Sequence, residues 1–569
     1  MTTLDASPQV DLPRATISRP KLIIASFEAL DRSSHWLNEL VSFKDEGSAL
    51  GRSVQILTLG SADAHVAATL SAETILEPLP ALDVNAENYV AQLVTFADAT
   101  DRLAPLWARL DAKKLTQQDL IYFPRGHPVL IRGIGSWLAQ RPHEHRPSVF
   151  FRIIGDELTD LETGRFRARA ALYRLACADL RTRPGQERVF FLVNSKAKAR
   201  AVSRICGRRP FMMQHHFGRI TADVPVTTPP NPTIYVHLNM RSGRLAANLG
   251  DIIQRVTAAE PSTRFLIKAP AELLETTAKL KSRVASFVDI ISAEQGINDY
   301  LANLARCSLV WLAYEAQPYR ALTSGVFTEA ASLGKPVVVP RGTWMDEKIA
   351  EGYGAGVTFD DHTASSIAGT LLDALRGRDQ LGASAREIAP RLGEETGCRR
   401  FIETMIALSK NAPDMEPRYQ IGDEINFSDA LDSHCFMLAG WGATESWGVW
   451  TVDRRAELEL PVHAKSGERL VLNAFANAFL GKRNQPVRVR VFAAGQQVAE
   501  WVFDAAMFRS SQPRWLTANI PPDASGDSSR ILKISFEVDT PKSPLSEGLS
   551  IDPRTLGLGL YKLSLNAVA

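Results

Sequence analysis

The sequence predicts an α/β plus all-β chain: two tandem Rossmann-like domains followed by an antiparallel β-sandwich. Three observations carry this. Short apolar runs alternate with helical stretches as far as about residue 410, the pattern of doubly wound parallel sheets. A Pro-rich segment, VPVTTPPNPT (224–233), divides that series in two, and such a stretch is semi-rigid and favours a domain boundary. Beyond residue 423 the runs become short and often alternating, split by Gly, Pro, Asn and Asp, which indicates a sandwich.

Bulk properties narrow the class. At 569 residues the chain exceeds one core and suits about three or four domains. Hydrophobic residues at 45% and charged residues at 22% are ordinary for a soluble globular protein. A formal charge of +2 gives no electrostatic reason to expect a nucleic-acid partner. Cys177, Cys206, Cys307, Cys398 and Cys435 are odd in number, scattered and without a CxxC pair. That argues against a disulfide framework or structural zinc and fits a reducing compartment. The first twenty residues are polar and lack the apolar core of a signal peptide. No run approaches the ~20 apolar residues that span a bilayer, so a cytoplasmic protein is expected.

Taken in order, residues 1–20 read as a flexible lead. KLIIASF (21–27), SVQILTLG (53–60), DLIYF (119–123), SVFFRII (148–154) and RVFFLVN (188–194) read as buried strands. Helical spacing lies between them, including a stretch over 93–110 with Trp107 inward. This first domain spans 21–223. The second, 234–410, opens with IYVHLN (234–239) and continues through RFLIK, FVDII, SLVWLAY and PVVVP, with helices between and after. The third, 423–569, holds seven strand-like runs, with Gly495-Gln496 as a hairpin turn.

The stretch YRALTSGVFTEAASLGKPVVVPR (319–341) carries the most chemistry. Ser324 or Thr323 can cap a helix start with its side-chain oxygen. Val326, Phe327, Ala330 and Leu333 share one helical face. Gly334 supplies the left-handed stop, and Val337-Val338-Val339 suits a strand covered on both faces. Ser324, Gly325 and Val326 then bring bare amides and the positive helix end to one point, which suits a phosphate. Glu329, a turn further in, is placed to accept from ribose hydroxyls. An ordinary loop–helix–strand unit reads equally well from these residues alone.

SGVFTEAASLGKPVVVP, with GYGAGVTF (352–359) following, resembles the second domain of GT-B glycosyltransferases of the group 1 type. Those enzymes carry an E-A-x-(A/S)-x-G-K-P-V-V segment and a Gly-rich strand about twenty residues on. The resemblance implies that Glu329 binds the nucleotide ribose and that the amides at Ser324, Gly325 and Val326 hold the diphosphate. It also implies cations at Arg241 (or Arg244) and Lys268. Such cations and oriented amides stabilise a leaving diphosphate without a metal, and there is no DxD motif; no cofactor is expected beyond the nucleotide-sugar co-substrate. Retaining members carry a Glu where this chain has Ala321, so the stereochemical course stays open; Tyr319, Arg320 and Glu315 are the nearest polar residues, with Arg320 a substitute cation.

The family's acceptor loops fall at EALDRSSHW (28–36), YFPRGHP (122–128) and Gly155-Asp156-Glu157. They offer His35, His127 with Arg125, and Asp156 as base or orienter of an acceptor hydroxyl; a helix cap for Asp156 and loop packing for His127 are the alternatives. The basic stretch KAKARAVSRICGRR (196–209) reads either as a solvated helix or as a peripheral contact with anionic membrane. The last domain resembles sandwich modules appended to bacterial envelope-glycan glycosyltransferases, on the residues Gly440-Trp441, Glu445 to Thr451 and Asp552 to Leu560. Trp441, Trp447 and Trp450 can stack on sugar rings or fill the core, with at least two expected in the core, and Glu445 can pair with Arg554. The whole implies a metal-independent transferase moving sugar from a nucleotide sugar to a glycan or lipid-linked acceptor in surface-glycan synthesis. A GT-B nucleotide-sugar epimerase, or a non-catalytic glycan-binding scaffold with a degenerate core, are the alternatives.

Overall fold

The computed structural model describes residues 19–28, 35–82, 88–154, 158–160, 166–213, 231–239, 242–270, 273, 284–291, 297–411, 419–428, 433, 436–464, 467–481, 485–504, 513–522, 529–552 and 554–568. The first sheet contains β1 (Lys21–Ser26), β2 (Ser53–Leu59), β3 (Glu73–Leu76), β4 (Leu120–Phe123), β5 (Ser148–Arg152), β6 (Val189–Val193) and β7 (Phe211–Met212). All are parallel, in the order β3-β2-β1-β4-β5-β6-β7. The second contains β8 (Thr233–His237), β9 (Arg264–Lys268), β10 (Val288–Ile291), β11 (Leu309–Leu312), β12 (Val337–Pro340) and β13 (Gly356–Phe359). It is again parallel, in the order β10-β9-β8-β11-β12-β13. Both are Rossmann-like sheets.

The continuous apolar runs become central strands because helices cover both faces. Rings from neighbouring strands stack on each face of the first sheet. Phe123 lies 4.8 Å from Phe151 on one side, and Phe150 lies 4.8 Å from Phe190 on the other. The stretch over 93–110 forms two helices, Tyr89–Asp101 and Ala104–Ala112, and Trp107 is half-buried against Trp137.

The helix Cys398–Lys410 departs from the expected domain division. By sequence it follows the second sheet, yet Cys398, Phe401, Ile402 and Met405 cover Leu22, Ile24, Phe43, Tyr122 and Phe150 of the first domain. Their helical spacing makes one apolar stripe, and the first sheet's face is what that stripe covers.

The last domain is a sandwich of two antiparallel sheets. One contains Glu424–Asn426, Leu558–Val568, Arg469–Ala478 and Arg514–Ile520, with Val449–Trp450 added; the other contains Arg455–His463, Ser529–Val538, Val487–Ala493 and Gln496–Phe503. The predicted hairpin is present one residue earlier. Ala494 and Gly495 take φ of 49° and 82°, and Gln496 already pairs with Ala493. Two successive left-handed residues match the twist of the strands they join.

Candidate functional site

Strand order reverses between β8 and β11 in the second sheet. There the loops leave in opposite directions and a crevice opens beyond the strand C-termini. The loop after β11 leads into the helix Gly325–Ser332, capped by Ser324, whose Oγ accepts from the Phe327 amide at 3.2 Å. Thr323 is engaged elsewhere, its hydroxyl accepting from Asn194 Nδ2 at 3.0 Å. The first helical amides, at Gly325 and Val326, have no intrahelical acceptor and sit at the positive helix end. Gly334, at φ 65°, ends the helix as predicted, and β12 is buried throughout. The Gly-rich run beside it has a packing reason. A Cβ on Gly356 would lie 2.1 Å from the Val337 carbonyl oxygen, and one on Gly354 would lie 2.9 Å from the Phe327 ring.

Glu329 faces inward and is only 9% exposed. Its Oε2 accepts from the Tyr300 hydroxyl at 2.5 Å, and Lys268 Nζ lies 4.3 Å from the centre of the Tyr300 ring. Burial pushes the Glu329 carboxyl above its ordinary range, while the Tyr300 hydrogen bond and the Lys268 charge pull it back. Burial lowers the Lys268 ammonium, and Glu329 opposes that shift. Carboxylate, phenol and ammonium thus form one coupled group. The other Glu329 oxygen takes no hydrogen bond among the described residues.

His237 closes this group at the end of β8. Burial, helped by Lys268, drives its imidazole down to about 3, so the ring is neutral at physiological pH. Its Nδ1 is buried and has no hydrogen-bond partner among the described residues. Tyr314 stands edge-on to it at 6.0 Å and stacks on Tyr319 at 4.3 Å. The Tyr319 hydroxyl accepts from Asn239 Nδ2 at 2.8 Å, which makes Tyr319 a buried wedge. Arg320 is exposed in the short turn Pro318–Arg320. Glu315 has one buried carboxylate oxygen with no hydrogen-bond partner among the described residues. Arg241 lies outside the described residues, as does the side chain of Arg244.

The first domain meets this loop through the C-terminal end of β6. Ser195 Oγ donates to the Ala321 carbonyl at 2.9 Å, and Trp344 Nε1 donates to the Asn194 carbonyl at 3.2 Å. The C-terminal edges of the two parallel sheets therefore face each other. Position 321, where the resemblance would want a carboxylate, is a backbone contact between domains.

On the first sheet's edge, His127 caps the helix Pro128–Ala139, its Nδ1 accepting from the Val129 amide at 3.3 Å. Burial first, then the Arg125 and Arg169 charges, lower the ring to about 4, against a smaller raising effect of the Pro80 backbone. Its Nδ1 is committed to backbone, so the expected proton acceptor is a capping residue here. Asp156 lies outside the described residues, and His35 opens the helix His35–Ala49 with its side chain outside them. Sequence reading missed Arg152, which is almost wholly buried and pairs with Glu39 at 3.1 Å. Arg152 also donates to the Pro124 carbonyl at 3.0 Å and lies over the Trp36 ring.

The basic helix, Lys196–Cys206, lies at a junction of all three domains. Lys196 pairs with Glu347 and Glu351 of the second domain. Arg200 pairs with Asp423 at 3.3 Å, and Arg204 donates to the Glu424 carbonyl at 3.0 Å, both at the start of the sandwich. Lys198 is buried and donates to Asn194 Oδ1, and Arg208 is buried against Gln186 and Val189. These cations are engaged within the protein itself, so a helix face solvated without partners is not what the structure has here.

In the sandwich, Glu445 and Arg554 pair at 2.9 Å, as the sequence anticipates. Of Trp441, Trp447 and Trp450, Trp441 is the one that packs against the core, with Nε1 donating to the Glu457 carbonyl. Trp447 and Trp450 lie over Gly559 on the outer face, where Trp447 meets Tyr561 at 4.6 Å. Two core tryptophans were expected. Gly559 leaves a gap on the outside of its strand, and these two rings fill it.

No helix among the described residues is long and apolar enough to cross a membrane. No family model matches the chain, and no curated protein matches it in sequence. Among solved structures the chain is similar to a point mutant of S. aureus TarM in complex with fondaparinux, alpha-GlcNAc-glycerol and UDP. That likeness has 12% identity and a TM-score of 0.41, covering 54% of this chain and 59% of TarM, less than two thirds of its length. It is similar to Anabaena HepE in complex with UDP-glucose, with 12% identity and a TM-score of 0.44, over 68% of this chain and 100% of HepE. It is similar to a putative UDP-N-acetylglucosamine 2-epimerase from Listeria monocytogenes, with 12% identity and a TM-score of 0.41, over 69% and 96% of the two chains. The two doubly wound sheets are evident from this chain's own strand order and owe nothing to these likenesses, whose TM-scores stay below 0.5.

Proposed function

We propose that the protein is a glycosyltransferase, moving a sugar from a nucleotide donor to a glycan or lipid-linked acceptor in the crevice between its two parallel sheets. One observation supports this above the others. An N-capped helix end, Lys268 and the buried carboxylate of Glu329 converge at one switch point, opposite the strand ends of a second sheet.

In this reading the diphosphate lies against the amides of Gly325 and Val326 beside Ser324, where the helix end and Lys268 offset its charge. The free oxygen of Glu329 accepts from ribose hydroxyls while Tyr300 holds the other. Arg320 and Arg241 supply further positive charge as the leaving diphosphate forms. Amides and guanidinium groups do this without a metal ion, so turnover should survive a chelator. On the acceptor side Asp156 remains the candidate base and His35 a candidate contact, in surface-glycan synthesis at the inner face of a cell membrane. Any membrane contact uses residues other than the engaged cations of the helix Lys196–Cys206.

The test is donor binding and slow donor hydrolysis across a panel of UDP- and GDP-sugars. The expected result is release of the nucleoside diphosphate, with binding of that diphosphate at least tenfold weaker in Glu329→Ala. A panel that neither raises the melting temperature nor turns over removes the reading, because a ligand bound only to the native state must stabilise it. Ala321, whose carbonyl is a domain contact, favours one second reading, a non-catalytic glycan-binding protein. That reading requires glycan binding confined to 423–569 and no hydrolysis. An epimerase would instead interconvert the donor with no acceptor present.

A further inference from the structure

The first sheet has a switch point of its own, between β1 and β4, and a cavity of about 290 Å³ lies there. Phe27 and Glu28, directly after β1, form part of its wall, with Arg125 and His127, directly after β4, beside them. Its apolar lining includes Phe27, Leu79 and Tyr173, whose hydroxyl is already bonded to the Gly126 carbonyl. Arg125 and Arg169 also line it. Arg125 pairs with Glu28 at 3.2 Å in a half-exposed bridge, and Arg169 has no ion-pair partner among the described residues. Arg169 also directly precedes the helix Ala170–Arg181, and His127 caps Pro128–Ala139.

We propose that this cavity is an anion site that holds a phosphate group of the acceptor, gripped by Arg125 and Arg169. Arg suits such a site because its planar fork meets phosphate oxygens in pairs. The apolar wall would take the face of the attached sugar or the start of a lipid chain. The cavity lies on the same strand-end edge of the first sheet as Asn194 and Ser195, which touch the second domain. Naming the bound group as part of an acceptor rests on the transferase reading; the anion site does not. His127 is a built-in reporter of such an anion. Burial, and after it the two arginines, hold its imidazole down, and an anion between the arginines would cancel their share.

The test is a titration of 13C-labelled histidines by NMR, with His127→Gln to assign the signal, on the full chain saturated with UDP. Inorganic phosphate and glucose 1-phosphate should each raise the His127 pKa by about one unit or more, with the field of two cations neutralised. Arg169→Gln should weaken phosphate at least tenfold, Arg169→Lys should restore most of it, and Glu28→Gln should tighten it by removing the carboxylate that pairs with Arg125. Vesicles of phosphatidylglycerol in phosphatidylcholine, used in a parallel arm, separate the two sources. A His127 response to soluble phosphate alone assigns a free sugar phosphate, and a further response to the vesicles assigns a lipid-linked one. An unmoved His127 titration, or equal phosphate binding by Arg169→Gln and the wild type, overturns the proposal. Repeating the titration without UDP keeps this outcome apart from failure of the donor site, which would show as absent UDP binding with the His127 response intact.

Discussion

The two switch points are built alike and furnished differently. Each lies where strand order reverses, each has a helix starting from its loop, and each holds a neutral imidazole. At the second sheet the imidazole of His237 sits in a tyrosine-lined group where one cation and one carboxylate are coupled through Tyr300. At the first, His127 caps a helix beside Arg125 and Arg169, with the partly buried carboxylate of Glu28 paired to Arg125. The same strand geometry thus carries a buried, paired charge set on one side and an open, net-positive one on the other. A paired set can recognise hydroxyls beside charge, whereas an open positive set answers to anions.

The largest effect should come from the buried pair that supports the first edge. Glu39→Ala removes the carboxylate that Arg152 pairs with in the core, a loss of about 3–5 kcal/mol that chemical denaturation would register. Replacing both residues with apolar ones should recover most of it. Next, Lys268→Ala should weaken UDP by about tenfold, roughly 1.4 kcal/mol, and leave phosphate at Arg169 unchanged. Loss of both together would break the independence of the two sites.

Acidity should separate the histidines from the glutamate. The folded pKa of His127 is depressed from 6.5 to about 4, so the folded state binds fewer protons in that window and stability falls as pH drops through it. His127→Asn keeps a cap and should flatten this fall, as measured by melting temperature against pH. Glu329 has the opposite sign. Its folded pKa is raised above 4.5, so the wild type loses stability as pH rises from 4.5 through that raised value. Glu329→Gln should therefore gain most over wild type at neutral pH. The smallest effect belongs to the helix cap: Ser324→Ala should cost about 1 kcal/mol and weaken UDP through a looser helix start.

Much of this was legible because local pattern and global burial agree. Val337-Val338-Val339 can only be a strand covered on both faces, and Ser324 and Gly334 bracket one helix. Other features depend on partners far away in sequence. Nothing local says that the stripe of Cys398, Phe401, Ile402 and Met405 covers the first sheet. The basic run at 196–209 looks like a surface charge patch until Glu347, Glu351 and Asp423 are brought to it. Tyr300 sits in an unremarked helix, and only the fold carries its hydroxyl to Glu329. His237 had a signal, a titratable residue closing an apolar strand at a switch point. For Trp447 and Trp450 the missing information was the facing of a strand that Gly559 leaves bare.

The returning helix Cys398–Lys410 ties the two parallel-sheet domains together a second time: the chain enters the second sheet at Thr233 and comes back to the first domain after Gly397. Gly397 is pressed so close to the Gly393 carbonyl that a Cβ would lie 2.7 Å from it. The two halves are therefore joined by chain at both ends of the second domain, and the Asn194–Thr323 and Ser195–Ala321 bonds add a polar tie at the mouth of the crevice.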